Sequence, residues 1–554
     1  MSVIQLPPGV VGDGRFVRLG PALIRESADA CPAGRALRAR PGLRASGGRG
    51  GRAPLQDFWF APVESLLDSA EYGREDPGPS AGRRCHPAHL EWARDAAAAY
   101  LAARRRLEAE RVASGHQRTL PVRRQWIAVH ELQSSDARGI QRFERSVWGR
   151  GYASADGSVR EIWIPSIGSV DRSRNPAEVA AAAAVLASGY PVYPPYSDRA
   201  RVIRPGPEDP ADEVSRAMTL PDRVRVVGVG LGDASVVVYA DWAAEDAVRR
   251  FGVQARGHMS RVVAGGTTRA GSDCVGCKGL RECGGIPHTI GLLGVAGLPH
   301  PRKRRSLSAT DLRVFAACPA RFHLTRVLNL KEGTGENAAI RRGRAVDDWL
   351  NRRHAERPRT SCRQAPLPTA LPGLNAEELG PALAMLRAHR AHCPLDGLPE
   401  TEEVRPQWRL AAYDPAADTV VVADPDLLFT DRGGWVWRET KTTGRRTPTG
   451  TSLLERYPQL ALAVLLMAAG VLGGEPVRCR IELEFLREDG SVLEEIDPFD
   501  AATLAEARRL VGALAEAWAV ESEYGPRPVS PQTCSECEVR RWCAHGRGET
   551  GETG

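Results

Sequence analysis

The 554-residue chain has no run of about 18 apolar residues, so nothing in it reads as a membrane-spanning helix. Its first stretch, "MSVIQLPPGVVGDG", lacks a charged segment followed by an apolar one, which argues against secretion. The expectation is a cytoplasmic protein without membrane contact. No G-x4-G-K-[ST] phosphate loop occurs, which argues against a nucleotide-driven motor within the chain. Nor is there a strong excess of one charge: a net +7 is small for this length. Tracts such as "RRR" at 104 to 106 and "RKRR" at 302 to 305 read first as solvated surface, although each can touch phosphate locally. A composition of 42% hydrophobic and 26% charged residues is ordinary for a globular chain, and the length predicts several domains or fewer large ones.

What is present is cysteine in a pattern. Six of the 12 cysteines fall in two Cys-x2-Cys-x5-Cys arrays, "CVGCKGLREC" (274 to 283) and "CSECEVRRWC" (534 to 543). In a reducing compartment such arrays favour metal or cluster ligation over disulfides. Each offers three donors, so a fourth must come from elsewhere in the chain.

The equal spacing prompts a search for duplication. Before Cys274, residues 222 to 251 read as strand, turn, strand, helix, and residues 476 to 510 before Cys534 read the same way. Upstream, "EVAAAAAVLASG" (178 to 189) corresponds to "QLALAVLLMAAG" (459 to 470), each an apolar helix ending in glycine. Further back, "ACPAGRALR" from Ala30 echoes "ACPARFHL" from Ala317. Cys31 and Cys318 are therefore the candidate fourth ligands, with Cys85 competing for the first site. The Pro- and charge-rich segment 190 to 214 reads as a surface loop and residues 40 to 54 as a flexible one. The chain thus divides into two similar halves, residues 1 to 283 and 306 to 546, with 284 to 305 as linker and 547 to 554 as a disordered tail.

The second half carries the chemistry. "VVVADPDLLFTDRGGWVWRETKTT" (420 to 443) reads as two strands joined by a Gly-Gly turn, with Asp426 near the end of one and Glu439 and Lys441 on the other. Residues i and i+2 of a strand share a face, so Glu439 and Lys441 project together. Paired carboxylates suit a hard divalent cation such as Mg²⁺ or Mn²⁺, and an adjacent ammonium can orient water, a combination that fits phosphodiester hydrolysis. A solvated hairpin with scattered charges is the bland alternative.

In order, the segments "SATDLRVFAACPARFHL" with Cys318, "GRAVDDWL" with Gly343, the Asp426 strand, "ETK", "QLALAVLL" with Gln459 and "CSECEVRRWC" resemble the RecB-like, iron-sulfur branch of PD-(D/E)XK nucleases. That branch includes CRISPR-adaptation exonucleases and AddB-type helicase-nuclease subunits, and the resemblance covers about residues 306 to 545. It implies a 4Fe-4S cluster on Cys318, Cys534, Cys537 and Cys543. It also implies Asp426 and Glu439 as metal ligands, Lys441 handling the nucleophilic water, and Gln459 supporting the site or contacting nucleic acid. Four thiolates suit zinc equally by ligand type alone. Two positions depart from the family pattern: Asp347 stands where histidine is usual, and Ala463 where tyrosine often follows the helix glutamine. A carboxylate at 347 would still bind metal, harder and more anionic, with a preference for Mg²⁺ or Mn²⁺. Asp348 and His354 read as ordinary exposed residues of the same helix.

In the first half, "REIWIP" (160 to 165) matches Glu161 to Glu439 and sets Trp163 where Lys441 stands. The strand "WGRGYASADG" (148 to 157) has no acidic residue at the comparable place, and Asp156 falls in a turn. This half reads as a degenerate copy with a second cluster or zinc on Cys31, Cys274, Cys277 and Cys283. The expected fold is α/β: two restriction-endonuclease-like halves, each a mixed central sheet flanked by helices and closed by a Cys cluster. The expected activity is metal-dependent hydrolysis of DNA, as an exonuclease on single-stranded ends, in repair, recombination or phage defence, with unwinding left to a separate helicase. A catalytically inactive, cluster-stabilised nucleic-acid-binding or assembly subunit is the alternative, and a redox sensor the third.

Overall fold

The structure is a computed structural model that describes residues 6–25, 30–46, 57–73, 85–123, 125–133, 140–192, 211–300, 302–330, 337–443 and 451–548. In the first half, strands β1 (Thr119–Val122), β2 (Arg150–Ser154), β3 (Val159–Ser166), β4 (Arg223–Gly230) and β5 (Val236–Ala243) lie side by side in that order. Neighbours are antiparallel except for the parallel pair β3 and β4. The helices of this half include α1 (Pro32–Arg38), α2 (Pro87–Ala113) and α3 (Pro176–Ser188). Parallel neighbours need a crossover, and α3 supplies it between β3 and β4. Asn175 caps α3 by accepting the Ala177 N–H, and Pro176 opens its first turn. Its alanine-rich body has no polar stripe and is buried from Ala177 to Ala187.

The second half opens with α4 (Ala309–Ala317), started by a reciprocal capping box between Ser308 and Asp311. Helices α5 (Ala338–Ala355) and α6 (Ala376–His389) come next. Its main sheet is β6 (Val404–Pro406), β7 (Leu427–Asp431), β8 (Gly434–Thr442), β9 (Arg480–Arg487) and β10 (Gly490–Ile496), again side by side in chain order. The pairing repeats that of the first sheet: antiparallel throughout except for β8 and β9, joined across α7 (Pro458–Ala468). After each parallel pair comes an antiparallel edge strand and then a helix, Ala244–Gln254 in the first half and α8 (Ala501–Val520) in the second.

Several expectations change. The segment from 420 to 443 forms three strands, not two: Thr419–Ala423, β7 and β8. Pro425 cannot donate to a ladder and interrupts the first run, so Asp426 stands at the entrance of β7 instead of the end of the preceding strand. The β7–β8 hairpin turns on Arg432 and Gly433, with φ of 49° and 87°, the positive pair that a two-residue type I′ turn requires. The described part of the expected linker is packed against the protein. Ile286, Leu292, Leu293 and Val295 are buried, and Asp414 accepts the N–H groups of Gly291 and Leu293 at 3.1 and 3.0 Å. The ends of the 190 to 214 segment form a short strand, Tyr190–Val192, and a helix, Ala211–Met218; residues 193 to 210 lie outside the described residues. Leu43–Ala45 is a strand, while 47 to 54 lie outside the described residues. Of the expected tail, Arg547 pairs with Glu91 at 2.7 Å, and 549 to 554 lie outside the described residues.

The halves share one hydrophobic cluster, in which Trp92, Tyr100 and Trp163 join Leu312, Phe315 and Leu460. Among the described residues no helix is long and apolar enough to cross a membrane.

Candidate active site

Strand β8, "GWVWRETKT", is buried from Gly434 to Glu439 and emerges over its last three residues. Alternation sets Trp437, Glu439 and Lys441 on one face and Arg438 and Thr440 on the other. Side-chain exposure rises from 6% at Glu439 through 21% at Asp426 to 29% at Lys441, so the group forms a cleft that opens to solvent at the lysine. One step beyond the last paired residues of the hairpin, Leu427 and Arg438, Asp426 comes opposite Glu439.

Hydrogen bonds fix each member. The Thr440 N–H donates to Asp426 Oδ2 at 2.7 Å, and Trp437 Nε1 donates to Glu439 Oε1 at 3.1 Å. Lys441 Nζ donates to Glu439 Oε2 at 2.9 Å and lies 3.9 Å from Asp426 Oδ2. Asp347 reaches the cleft from α5, which comes close because Gly343 faces β8: a Cβ there would lie 2.7 Å from Thr442 Oγ1. Gln407 ties the two aspartates together. Its N–H donates to the Asp426 carbonyl at 3.1 Å, its side chain bonds the Asp426 carboxylate, and Nε2 makes a long 3.5 Å contact with Asp347 Oδ2.

Burial pushes the pKa of Asp426 up, with Asp347 adding repulsion against the pull of Lys441. Glu439 is raised for the same first reason, with Asp426 as the repelling neighbour. Asp347 too is raised by burial, aided by Asp348 and Glu439. Burial acts to lower Lys441, but Glu439 and Asp426 outweigh it and hold the ammonium above its ordinary value. Three crowded carboxylates, each resisting ionisation, present oxygen donors that match a hard divalent cation and would be relieved by one.

The structure therefore brings Asp347, Asp426, Glu439 and Lys441 together. Gln459 is half-buried in the first turn of α7 and, among the described residues, makes no hydrogen bond to them. Asp348 is exposed as expected, whereas His354 is buried at 4% exposure, because Val346, Leu350 and His354 share the α5 face that packs on α6. Gln407 and Trp437 escaped the sequence reading; the alternation of β8 would have exposed Trp437, while Gln407 depends on a non-local strand.

Cys318, Cys534, Cys537 and Cys543 line one pocket together with Arg321 and Arg540. Burial raises Cys534, and the Cys318 and Cys543 thiols raise it further. In the first half, burial pushes Cys274 up to about 11, with Cys31, Cys277 and Cys283 adding to it. Cys31 thus sits with its expected partners, while the competitor Cys85 lies 3.6 Å from His89 Nδ1.

The first-half residues that the sequence matched to the cleft are enclosed by other side chains. Glu161 is fully buried and pairs with Arg225 at 3.1 Å and with Arg111. Its antiparallel neighbour is Tyr152, and its parallel neighbour Arg225 stands where β9 puts Leu483 beside Glu439. Trp163 Nε1 donates to Glu161 Oε2 at 3.2 Å, and Asp156 is in a turn, bonded to Ser154 and Ser158.

A mixed sheet ending in an acidic cleft with one lysine gives the second half an α/β architecture with a cluster of oxygen donors at the end of its parallel strand pair. Residues 306–544 match the family model described as the PD-(D/E)XK nuclease superfamily. No curated protein matches the chain. Among solved structures the chain is similar to the one titled "Crystal structure of SSO0001", at 17% identity and a TM-score of 0.23, over 45% of this chain and 89% of that chain.

Proposed function

We propose that the second half is a Mg²⁺- or Mn²⁺-dependent deoxyribonuclease that acts on single-stranded ends. The observation that carries this reading is the placement of Lys441 Nζ 2.9 Å from Glu439 and 3.9 Å from Asp426 at the end of a parallel strand pair. Asp347, Asp426 and Glu439 would hold the cation, which when bound would polarise the scissile phosphate and acidify water. Lys441 stays charged beside its carboxylates, so its part is to donate hydrogen bonds that orient the attacking water and offset charge developing on phosphate. Thr440 and Trp437 keep the two carboxylates aimed, and Gln407 couples Asp426 to Asp347. Gln459, at the mouth of α7, supports the site or meets nucleic acid.

Cys318, Cys534, Cys537 and Cys543 would hold a 4Fe-4S cluster that clasps the start of the domain to its end. Cys31, Cys274, Cys277 and Cys283 would hold a second cluster or a zinc ion. Four thiolates suit a tetrahedral zinc equally by ligand type, so metal and sulfide analysis of protein prepared without oxygen decides between zinc and cluster. The shared strand order supports reading the first half as a degenerate copy, with arginines at Glu161 in place of a cation. A separate helicase would unwind the substrate, in repair, recombination or phage defence.

The test is cleavage of end-labelled single- and double-stranded DNA and of RNA across a Mg²⁺ and Mn²⁺ titration, with Lys441→Ala beside the wild type. Divalent-dependent shortening of single-stranded DNA that the variant loses by about 10² to 10⁴-fold is the expected result. Cleavage that survives the substitution sinks the assigned site, and no cleavage of any substrate supports the assembly-subunit reading.

A further inference from the structure

Four cysteines stand outside the two quartets, and two of them meet two histidines. His354 lies in the last turn of α5, Cys362 in the loop after it, His389 is the last residue of α6, and Cys393 comes four positions later. One ligand atom from each lies within 4.8 Å of all the others, and the four residues are 4%, 1%, 1% and 5% exposed. We propose that His354, Cys362, His389 and Cys393 bind one zinc ion, a structural site separate from both the acidic cleft and the cysteine quartets.

The donor set is two sulfurs and two imidazole nitrogens, the soft-to-borderline mixture that zinc takes in closed tetrahedral sites and that Mg²⁺ or Mn²⁺ does not. The local geometry is that of a prepared site. Cys362 Sγ is 3.5 Å from His354 Nε2, and the Cys362 N–H donates to Cys393 Sγ at 3.3 Å, the kind of bond that steadies a thiolate. His389 Nδ1 faces both oxygens of Glu484, at 3.0 and 2.9 Å. A carboxylate on one ring nitrogen fixes the tautomer and turns the other toward a metal. That other atom, His389 Nε2, is buried on the side of the Cys393 thiol, where a metal would take both as ligands.

The charges close as well. Two thiolates neutralise a divalent zinc, and the remaining carboxylate, Glu484, lies 3.7 Å from Arg438 Nη1. Apolar neighbours including Val346, Leu350, Met385 and Leu386 surround the group, so four protein donors and no open position are available. An ion here would act as a clamp. It would join the end of α5 to the end of α6 and, through Glu484, to β9. Asp347 lies two helical turns before His354 on α5, so the clamp would hold the helix that carries this member of the acidic cleft.

The test uses the full chain, produced with zinc and iron present, purified without oxygen or chelators, and assayed for both metals by mass spectrometry. One zinc per chain beyond any held by the quartets is expected, with zinc-edge X-ray absorption showing two sulfurs at about 2.3 Å and two nitrogens at about 2.0 Å. Cys393→Ser should lose that zinc and keep its iron, whereas Cys534→Ser should do the reverse. Should Cys393→Ser fail to fold, the wild type is depleted of zinc and given Co²⁺, which is expected to show the intense visible bands and sulfur charge transfer of a tetrahedral S2N2 site. A chain that binds neither zinc nor cobalt, an all-sulfur zinc spectrum, or a Cys362–Cys393 disulfide found by peptide mapping would each overturn the proposal.

Discussion

Replacing Gly343 with alanine inserts one methyl group between α5 and β8. The new Cβ would stand 2.7 Å from Thr442 Oγ1 and 4.0 Å from Thr442 Cβ, where ordinary contact begins at 3.4 Å. The helix or the threonine must then give by about 0.7 Å, a packing cost of about 1 to 3 kcal/mol. Against that, alanine in a helix interior gains up to about 1 kcal/mol over glycine. Global stability therefore changes little, while the local shift falls on Asp347, four residues along the same face of α5. A misplacement approaching 1 Å can cost about 10²-fold in rate. Single-turnover cutting of an end-labelled single strand at limiting Mg²⁺ should fall about 10- to 10²-fold in Gly343→Ala, with a melting temperature within a few degrees of wild type. Removing the obstructing atom as well, in Gly343→Ala/Thr442→Ala, leaves only the 4.0 Å contact and should restore cutting to within about threefold of wild type. Wild-type cutting by the single variant, or a double variant no faster than the single, would refute the idea that this close approach positions Asp347.

Two further predictions concern the first half and its junction with the second. Arg225→Met removes one of the guanidiniums around the buried Glu161, leaving Arg111 paired with it and Arg104 nearby, and should lower stability by about 3 kcal/mol, read as a drop in the urea midpoint; an unchanged midpoint would show that Arg111 and Arg104 suffice to neutralise the site. His323, 1% exposed with neither ring nitrogen hydrogen-bonded, has its pKa pulled down by burial to about 3 from the ordinary 6.5. Its neutral form stabilises the fold above pH 6.5, and that contribution is lost at about 1.4 kcal/mol per pH unit as the pH falls toward 3, because the unfolded chain takes up the proton first. In His323→Phe the advantage in urea midpoint over wild type should widen from pH 7.5 to 4.5; a gap that stays constant would remove His323 from the acid sensitivity.

Part of the cleft was legible from short-range periodicity, since Glu439 and Lys441 share a face by strand alternation, whereas Asp347 was placed there only by the resemblance of its segment to a known family. Gln407 was not legible: it arrives from β6 with a positive φ of 48° and meets Asp347 across 60 positions of sequence. His354 was misread because the polar text "DDWLNRRHAERP" hides the four-residue recurrence of Val346, Leu350 and His354, which predicts one buried face. The segment 284 to 305 reads as a linker from its glycines and prolines, and the burial of Ile286, Leu292, Leu293 and Val295 within it depends on non-local packing that the sequence does not display.

The two sheets also show why a shared strand order does not carry shared chemistry. A cation site needs donors left without counter-charges, and around Glu439 the neighbours are Asp426, Asp347 and an ammonium that reaches in from the solvent side. Around Glu161 the neighbours are Tyr152, Trp163 and Arg225, the last where Leu483 adjoins Glu439, with Arg111 added from α2. Arg225 and Arg111 pair with that carboxylate inside the protein, and Arg104 adds a further charge nearby. A lysine at 163 would therefore add one more positive group beside Glu161 without creating a place for a metal ion, and a cation site there would require removal of the arginines and a second carboxylate at 152.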